Sequence, residues 1–248
     1  MREIETSGSK LFSGKSVVVS GGTGGIGLAL ARGFAAAGAS VVATGSSAAR
    51  LSTAQAEASD QLHFRRLDVR DGAEVSAFFS RLERLDVLVN CQGVARPEAE
   101  WDEETFQDVM DINLSSAMRL ARAAFPLLKE SRGNIVNFAS MLSYLADEAV
   151  PAYTASKTGI MGLTRALAHK YGRYGVRVNA VAPGYHKTEM TKPLWSVEAS
   201  AQKIADRSAL KRWGTSEDLV GPVLFLASPA AEFVTGATLP VDGGYHVG

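Results

Sequence analysis

The chain has 248 residues and ordinary globular composition, with 46% hydrophobic and 21% charged residues. Its 26 basic residues equal its 26 acidic ones, a balance that argues against nucleic acid as the main ligand. The single cysteine, Cys91, excludes an internal disulfide and a cysteine-based metal cluster, and it fits a reducing cytoplasm.

Residues 1–10 carry charges and no apolar core, so we expect a loose leader rather than a signal peptide. The sequence also has no run of 18 apolar residues and therefore predicts no membrane span. We expect a cytoplasmic protein with one domain over residues 11–248, because no linker, charge block or internal repeat divides the chain.

Short β-branched runs alternate with helical stretches along the chain. Strands are predicted at 17–19, 41–43, 62–67, 87–89, 135–139, 176–181 and 238–241, and helices at about 26–37, 72–82, 103–128, 152–172 and 216–227. Several of the strand runs are apolar on both faces, which is typical of strands covered by helices on both sides. The alternation predicts a doubly wound Rossmann α/β fold with a seven-stranded parallel sheet.

A glycine-rich turn at 20–27, with the sequence SGGTGGIG, follows the first strand and opens the first helix. Glycines let backbone N–H groups approach a phosphate, and the helix N-terminus adds partial positive charge. The strand–loop–helix context favours nucleotide binding over an ordinary tight turn. The candidate cofactor contacts in this turn are Gly21, Thr23, Gly24, Gly25, Ile26 and Gly27.

Further motifs occur in an order and spacing that resemble the short-chain dehydrogenase/reductase family over about residues 11–247. They are the glycine turn, Asn113, Ser140, the Tyr153-x-x-x-Lys157 pair, the NCQG segment at 90–93, the Pro-Gly turn at 183–184 and the VDGG ending at 241–244. The resemblance implies an NAD(P)-dependent oxidoreductase that interconverts a secondary alcohol and a ketone.

The resemblance also implies residue roles. Lys157 would hold the nicotinamide ribose, and Asn113 would hold a water that links Lys157 to solvent. Asp68 and Val69 would contact the adenine, although an aspartate at a strand end can also be a helix N-cap. The remaining implied cofactor contacts are Asn90, Gly93, Pro183, Gly184, His186 and Thr188. Two departures from the family pattern are the Cys-Gln pair at 91–92 and His186, which occupies a position that is often aliphatic.

Reduction of a ketone needs a proton donor beside the hydride donor. Tyr153 and Lys157 are four residues apart on a predicted helix, so their side chains share one face. An ammonium beside a phenol favours the phenolate, and we expect Lys157 to lower the pKa of Tyr153 toward neutrality. Tyr153 would then act as general acid in reduction and as general base in oxidation. Ser140, at the end of the fifth strand, would donate a hydrogen bond to the substrate oxygen.

The second strand ends without the acid that grips the ribose of NAD. Its last residues read ATGSS, and the next acid is Glu57. The missing acid favours NADP over NAD, because Ser46, Ser47 and Arg50 could receive a 2′-phosphate. NAD remains the alternative, since Gly24 stands where NADP-dependent members of the family often carry arginine.

The segment from about 184 to 212 interrupts the alternation of strands and helices and is the expected lid. Arg96, Lys187 and Trp195 are candidate substrate contacts, together with Ser140 and Tyr153. Basic side chains there favour an anionic substrate, although lid lysines can simply be solvated. Segments around 139–143, 151–157 and 212–214 resemble the branch that oxidises gluconate and deoxygluconate. The 3-oxoacyl-carrier-protein reductases share most of the same scaffold and remain an alternative.

A dinucleotide-sensing protein without enzymatic activity would need the glycine turn but not the serine, tyrosine and lysine together. The sequence contains no HExxH or Cys–His arrangement, so no metal is expected. Helices 103–128 and 152–172 carry more apolar residues than one sheet face needs, which predicts a homotetramer. The apolar residues in question are Met118, Leu120, Phe125, Ile160, Met161 and Leu163.

Overall fold

The computed structural model describes residues 11–248, so the leader predicted over residues 1–10 lies outside the described residues. Seven parallel strands form one sheet in the order β3-β2-β1-β4-β5-β6-β7. The strands are β1 (Ser16–Ser20), β2 (Ser40–Gly45), β3 (Leu62–Arg66), β4 (Val87–Asn90), β5 (Asn134–Phe138), β6 (Arg177–Pro183) and β7 (Thr238–Val241). The predicted doubly wound fold is confirmed.

Nine α-helices lie within the described residues. They are α1 (Gly25–Ala36), α2 (Ala48–Ala54), α3 (Gly72–Phe79), α4 (Glu103–Met110), α5 (Ser116–Ser131), α6 (Pro151–Gly172), α7 (Lys192–Trp195), α8 (Glu198–Arg207) and α9 (Val220–Ala227). In the part of the chain that is described, no helix combines the length and the apolar character needed to cross a bilayer.

The valine run of β1 explains why helices cover both faces of the sheet. Val17 and Val19 are buried in one apolar cluster with Phe34 of α1, whereas Val18 points into a second cluster with Leu120 of α5. Successive side chains of a strand point to opposite faces, so a strand that is apolar at every position needs two covering layers. The two layers leave the carboxyl ends of the strands open. The strands β1 and β4 are neighbours there, and the chain leads from β1 to β2 in one half of the sheet and from β4 to β5 in the other.

The single helix predicted over 103–128 is wrong. Helix α4 ends at Met110, a π-helical turn covers Asp111–Ser115, and α5 begins at Ser116. The widened turn places Asn113 inside the protein, with 1% of its surface exposed. Apolar periodicity continues on both sides of the turn, so the sequence pattern does not reveal it.

Candidate active site

A cleft of about 1050 Å³ lies at the carboxyl ends of the strands. It brings together most of the residues that the sequence predicted for the site. Those that line it are Gly21, Thr23, Gly24, Gly25, Ile26, Gly27, Ser46, Ser47, Asp68, Val69, Gly93, Arg96, Ser140, Tyr153, Lys157, Pro183, Gly184, His186 and Thr188. Four others lie outside this lining, namely Asn90, Asn113, Lys187 and Trp195.

The glycine turn presents backbone rather than side chains to the cleft. Gly24 is the N-cap of α1, and no side chain caps the helix, so its first N–H groups face the cleft without an internal side-chain acceptor. A Cβ at Gly27 would lie 2.1 Å from the carbonyl oxygen of Gly21, so only glycine allows this tight return of the chain. The uncapped helix end and the absence of side chains fit a dinucleotide pyrophosphate.

The part of the cleft after β2 and β3 contains the residues expected for the adenosine of the cofactor. Ser46 is exposed, and the Ser47 hydroxyl accepts a hydrogen bond from the Arg50 amide at 3.4 Å as the N-cap of α2, a helix that the sequence prediction missed. Asp68 pairs with Arg70 at 2.8 Å, and this hydrogen bonding lowers the pKa of the Asp68 carboxyl. Asp68 is not a helix cap, because α3 begins after a neighbouring aspartate, Asp71, whose carboxylate caps it.

Ser140, Tyr153 and Lys157 meet in the centre of the cleft. Helix α6 carries Tyr153 and Lys157 on one face, and the Lys157 Nζ lies 5.6 Å from the centre of the Tyr153 ring. The Lys157 ammonium donates a hydrogen bond to the carbonyl oxygen of Phe138 at 2.8 Å. A Cβ at Gly93 would lie 3.2 Å from the Lys157 Nζ, so this glycine leaves space for the lysine beside the cleft.

The expected effect of Lys157 on Tyr153 is wrong for this structure. Burial raises the pKa of the Tyr153 phenol, and hydrogen bonding with Ser140 opposes that rise. Burial also lowers the pKa of Lys157 to about 8. Lys157 is buried and Tyr153 is half-buried. Removing a charge from water there costs more than a neighbour at this distance returns.

Asn113 holds the wall of the cleft rather than facing it. Its side-chain amide donates to the carbonyl oxygen of Val94 at 2.9 Å, and its carbonyl oxygen accepts from the Val94 amide at 2.8 Å. The same amide donates to the Ser156 hydroxyl at 3.1 Å. Asn90 is likewise internal and donates to the Asn137 side chain at 2.8 Å. Asn113 therefore positions the backbone of Val94, which lines the cleft, whereas Asn90 joins β4 to β5 through a side-chain contact.

The loop after β6 forms part of the cleft wall. The Gly184 amide donates to the carbonyl oxygen of Val241 at 3.1 Å, and a Cβ at Gly184 would lie 2.5 Å from the Asp242 Cβ. His186 is buried, its ring packs on Gly214, and burial lowers the pKa of its imidazole. The Pro-Gly loop and the chain segment after β7 therefore form one packed unit.

The predicted substrate residues divide into two groups. Arg96 lines the cleft, and its guanidinium pairs with Asp108, which also pairs with Arg70. Lys187 is exposed and outside the cleft lining. The Trp195 indole donates to the carbonyl oxygen of Thr188 at 2.9 Å. It therefore stabilises the loop after β6 without lining the cleft. The structure thus does not bring Lys187 and Trp195 to the cleft.

Three residues that the sequence analysis missed also shape the site. Thr191 accepts from the Thr188 amide at 3.1 Å and donates to the carbonyl oxygen of His186 at 2.6 Å. Gln92 lines the cleft and donates to the Ser116 hydroxyl at 2.8 Å. Glu100 is fully buried beside the start of α6. Only Thr191 could have been found from the local sequence, because its partners Thr188 and His186 are close to it in the chain. Gln92 and Glu100 act through contacts distant in sequence.

A glycine turn that fits a pyrophosphate shares one cleft, at the carboxyl edge of a parallel sheet, with a half-buried tyrosine and a buried lysine. This combination is typical of a dinucleotide-dependent oxidoreductase. A family model described as enoyl-(acyl carrier protein) reductase matches residues 21–246. The chain belongs to the short-chain dehydrogenase/reductase family and is an NAD(P)-dependent enzyme acting on CH–OH donors.

Curated relatives and solved structures cover nearly the whole chain. The 2-dehydro-3-deoxy-D-gluconate 5-dehydrogenase of Escherichia coli is 38% identical, with 94% of this chain and 96% of the relative covered. The gluconate 5-dehydrogenase of Gluconobacter oxydans is also 38% identical, with 95% and 96% covered. The crystal structure of a gluconate 5-dehydrogenase from Burkholderia cenocepacia in complex with NADP and tartrate has a TM-score of 0.88 at 32% identity, covering 97% and 98% of the two chains.

Proposed function

We propose that this enzyme interconverts a secondary hydroxyl and a ketone of a sugar acid, with NADP as the preferred cofactor. The observation that carries the proposal is that Ser140, Tyr153 and Lys157 share one cleft with the uncapped N-terminus of α1. The gluconate and deoxygluconate dehydrogenases among the relatives support the substrate class.

When bound, the nicotinamide supplies or accepts the hydride. Tyr153 gives a proton to the ketone oxygen during reduction and removes the hydroxyl proton during oxidation. The Ser140 hydroxyl, buried at the end of β5, orients the same oxygen. Its Oγ accepts from the Leu142 amide at 3.2 Å, which holds the hydroxyl beside Tyr153, and its own hydrogen would turn to the substrate oxygen when substrate binds.

Lys157 completes the proton-transfer set. Its ammonium would hold the ribose of the cofactor and stabilise the Tyr153 phenolate that forms during oxidation. The pKa of about 8 lets Lys157 remain mostly protonated at neutral pH despite its burial. Asn113 supports this set from outside the cleft by fixing Val94 and Ser156, rather than by contacting the reacting atoms.

The proposed carboxylate anchor is Arg96. It lies in the cleft lining at the open end of the site, where an anionic group of the substrate would compete with Asp108 for the guanidinium. The segment 184–212, which contains α7 and α8, is the proposed lid over that end. A charged anchor and a lid favour a short polar acid over a long acyl chain.

The proposed preference for NADP rests on the end of β2. Ser46 and Arg50 line the cleft there, and β2 ends at Gly45 without a carboxylate. A 2′-phosphate would find hydroxyl and guanidinium donors at this position, and no negative charge of β2 would oppose it.

The test is a comparison of substrates with both cofactors. We expect NADPH oxidation with 5-keto-D-gluconate or 2-dehydro-3-deoxy-D-gluconate to exceed that with a 3-oxoacyl thioester by at least about tenfold in kcat/KM, a difference of about 1.4 kcal/mol. A reversed order would favour the 3-oxoacyl-carrier-protein reductase alternative. Cofactor binding without turnover of any carbonyl would favour a dinucleotide sensor.

We also propose a homotetramer in the cytoplasm. Leu120 and Ile160 do not support it, because both are buried in the core of the subunit itself. Better support comes from the exposed apolar side chains of Met118, Phe225 and Phe233. A second copy would cover such faces through a two-fold axis. Sedimentation of a monomer at micromolar concentration would contradict the proposal.

A further inference from the structure

A buried glutamate links two residues that the proposed function uses and that both line the cleft. Glu100 lies in the loop between β4 and α4, and its side chain has no exposed surface. One carboxylate oxygen accepts from the Arg96 amide at 2.8 Å. The other accepts from the Tyr153 amide, also at 2.8 Å.

The contact with Tyr153 replaces a missing helix cap. Val150 is the N-cap of α6 and has no side-chain oxygen, and Pro151 follows it at the first helical position. Tyr153 is therefore the third residue of the helix. The N–H at this position normally donates a hydrogen bond to the side chain of the N-cap residue. Glu100 supplies that acceptor from 53 residues away, and its negative charge complements the N-terminus of a 22-residue helix.

Two other contacts hold the same loop against the entrance of α6. The Glu98 amide donates to the carbonyl oxygen of Ala149 at 2.9 Å, and the Trp101 indole donates to the carbonyl oxygen of Glu148 at 2.9 Å. Glu98 also has a φ of 66°, a conformation that a residue other than glycine adopts at a cost. These contacts and the one between Glu100 and Tyr153 join the loop to the first turn of α6 and to the residues just before it.

We propose that Glu100 is a positioning residue that fixes the distance between the proton-transfer tyrosine and the wall bearing Arg96. This inference rests on the proposed roles of Tyr153 and Arg96. One carboxylate sets the backbone positions of two residues that line the cleft, Arg96 and Tyr153. A change at Glu100 therefore alters the alignment of the substrate oxygen with Tyr153 and leaves the phosphate-binding turn unchanged.

The test variant is Glu100→Gln, which keeps the length of the side chain. An amide has one acceptor oxygen, so its NH₂ group must face one of the two backbone N–H donors. We expect kcat to fall about 10- to 100-fold and the KM for the sugar acid to rise, because small misplacements of reacting groups cost rates of this order. The dissociation constant of NADPH should stay within about twofold of wild type, since Glu100 lies outside the cleft lining.

The pH profile separates positioning from a loss of stability. Three titratable groups act on or lie near Tyr153: Cys91 and Glu100 raise the pKa of its phenol, and Lys157 lies 5.6 Å from its ring. Without the Glu100 charge, the phenol loses its proton more easily. The rising limb of the oxidation rate should therefore move to lower pH in Glu100→Gln.

The matched control is Asp86→Asn. Asp86 is also buried and accepts from a backbone N–H, that of Ser16 at 3.0 Å, but it lies at the opposite edge of the sheet before β4. Both variants should lower the midpoint of thermal unfolding, whereas only Glu100→Gln should change kcat, the KM of the substrate and the pH profile. Glu100→Asp, which keeps the charge but shortens the reach, should lose kcat without the downward pH shift.

A Glu100→Gln enzyme with wild-type kcat, KM and pH profile would overturn the inference, whatever its stability. If Glu100→Gln does not fold, Glu100→Asp decides through kcat and KM alone. Tyr153→Phe, measured in parallel, separates the two levels of argument. Full turnover in Tyr153→Phe overturns the proposed mechanism together with this inference, whereas loss of turnover there with no effect at Glu100 overturns the inference alone.

Discussion

The glycine turn and the proton-transfer set lie on the same cleft but are built differently. The turn offers backbone N–H groups, and its geometry depends on the lack of side chains at Gly21 and Gly27. The proton-transfer set offers side chains that are buried or half-buried and that contact distant partners, such as the carbonyl oxygen of Phe138 for Lys157. The first kind of site is encoded within eight consecutive residues, whereas the second depends on how separate segments pack.

The largest effect should come from the side-chain half of the cleft. Tyr153→Phe removes the proton donor and retains the ring, so turnover should fall by about 10²–10⁴ with an unchanged dissociation constant for NADPH. Stopped-flow or steady-state rates and a fluorescence titration measure the two quantities. Tyr171→Phe on the same helix, away from the cleft, is the control. Near-normal turnover in Tyr153→Phe would refute the mechanism.

Substitutions in the glycine turn should instead weaken the binding of NADPH. A Cβ at Gly27 would lie 2.1 Å from the Gly21 carbonyl oxygen, whereas a Cβ at Gly24 meets nothing within 4 Å. Gly27→Ala should therefore weaken NADPH binding at least about tenfold, equivalent to about 1.4 kcal/mol. Gly24→Ala should stay near wild type, because its φ of 179° suits any residue. Equal losses in the two variants would show that close approach is not what the turn requires.

The choice between NADP and NAD is tested at Ser46, which lines the cleft just after β2. Ser46→Asp should place a carboxylate near the 2′-phosphate, and a repulsion of about 1.4 kcal/mol already shifts the preference tenfold toward NADH. Ser46→Ala is the control for loss of the hydroxyl. The neighbouring Gly45 is less suitable, because a Cβ there would lie 2.4 Å from the Thr23 hydroxyl oxygen. Wild-type kinetics that strongly favour NADH would contradict the proposed preference.

The smallest effect concerns the stability cost of the buried lysine. The pKa of Lys157 is about 8 in the folded protein, below its ordinary value of 10.5. Between these pH values the unfolded chain binds a proton that the native protein does not. This group therefore increases the free energy of unfolding as pH rises from about 8, by at most about 1.4 kcal/mol per unit.

Urea unfolding of wild type and Lys157→Met at pH 7.5 and 9.5 measures this contribution. The wild type should gain stability relative to the variant at the higher pH, because the variant carries no titratable group there. Parallel pH dependence in the two proteins would mean that Lys157 keeps an ordinary pKa in the folded state.

The sequence predicted local features of this molecule well. All seven strands were placed, since valine-rich runs in alternation with helices leave few other folds. The glycine turn and the spacing of Tyr153 and Lys157 could also be found in the sequence, because each lies within a few consecutive residues. What was missed has long-range causes. The π-helical turn at Asp111–Ser115 interrupts no apolar pattern, and the cap that Glu100 provides for α6 joins residues far apart in the chain.

Electrostatics was harder to predict than geometry. Sequence spacing placed Lys157 beside Tyr153, but the direction of the tyrosine pKa depends on burial, which a residue pair does not reveal. Arg96 was placed at the correct edge of the sheet, whereas its ion pair with Asp108 was not foreseen. Lys187 and Trp195 of segment 184–212 were assigned to the substrate by position alone, and neither lines the cleft.

The packing of the Pro-Gly loop on the end of β7 has a consequence for how the protein is made. The glycine turn emerges from the ribosome before Gly184, and Gly184 emerges before Val241 and Asp242, which support it. A nascent chain can therefore form the part of its cleft at the glycine turn early, while the Pro-Gly loop lacks its backing until β7 emerges. A ribosome that stalls before β7 consequently leaves a chain whose Pro-Gly loop has nothing to pack against.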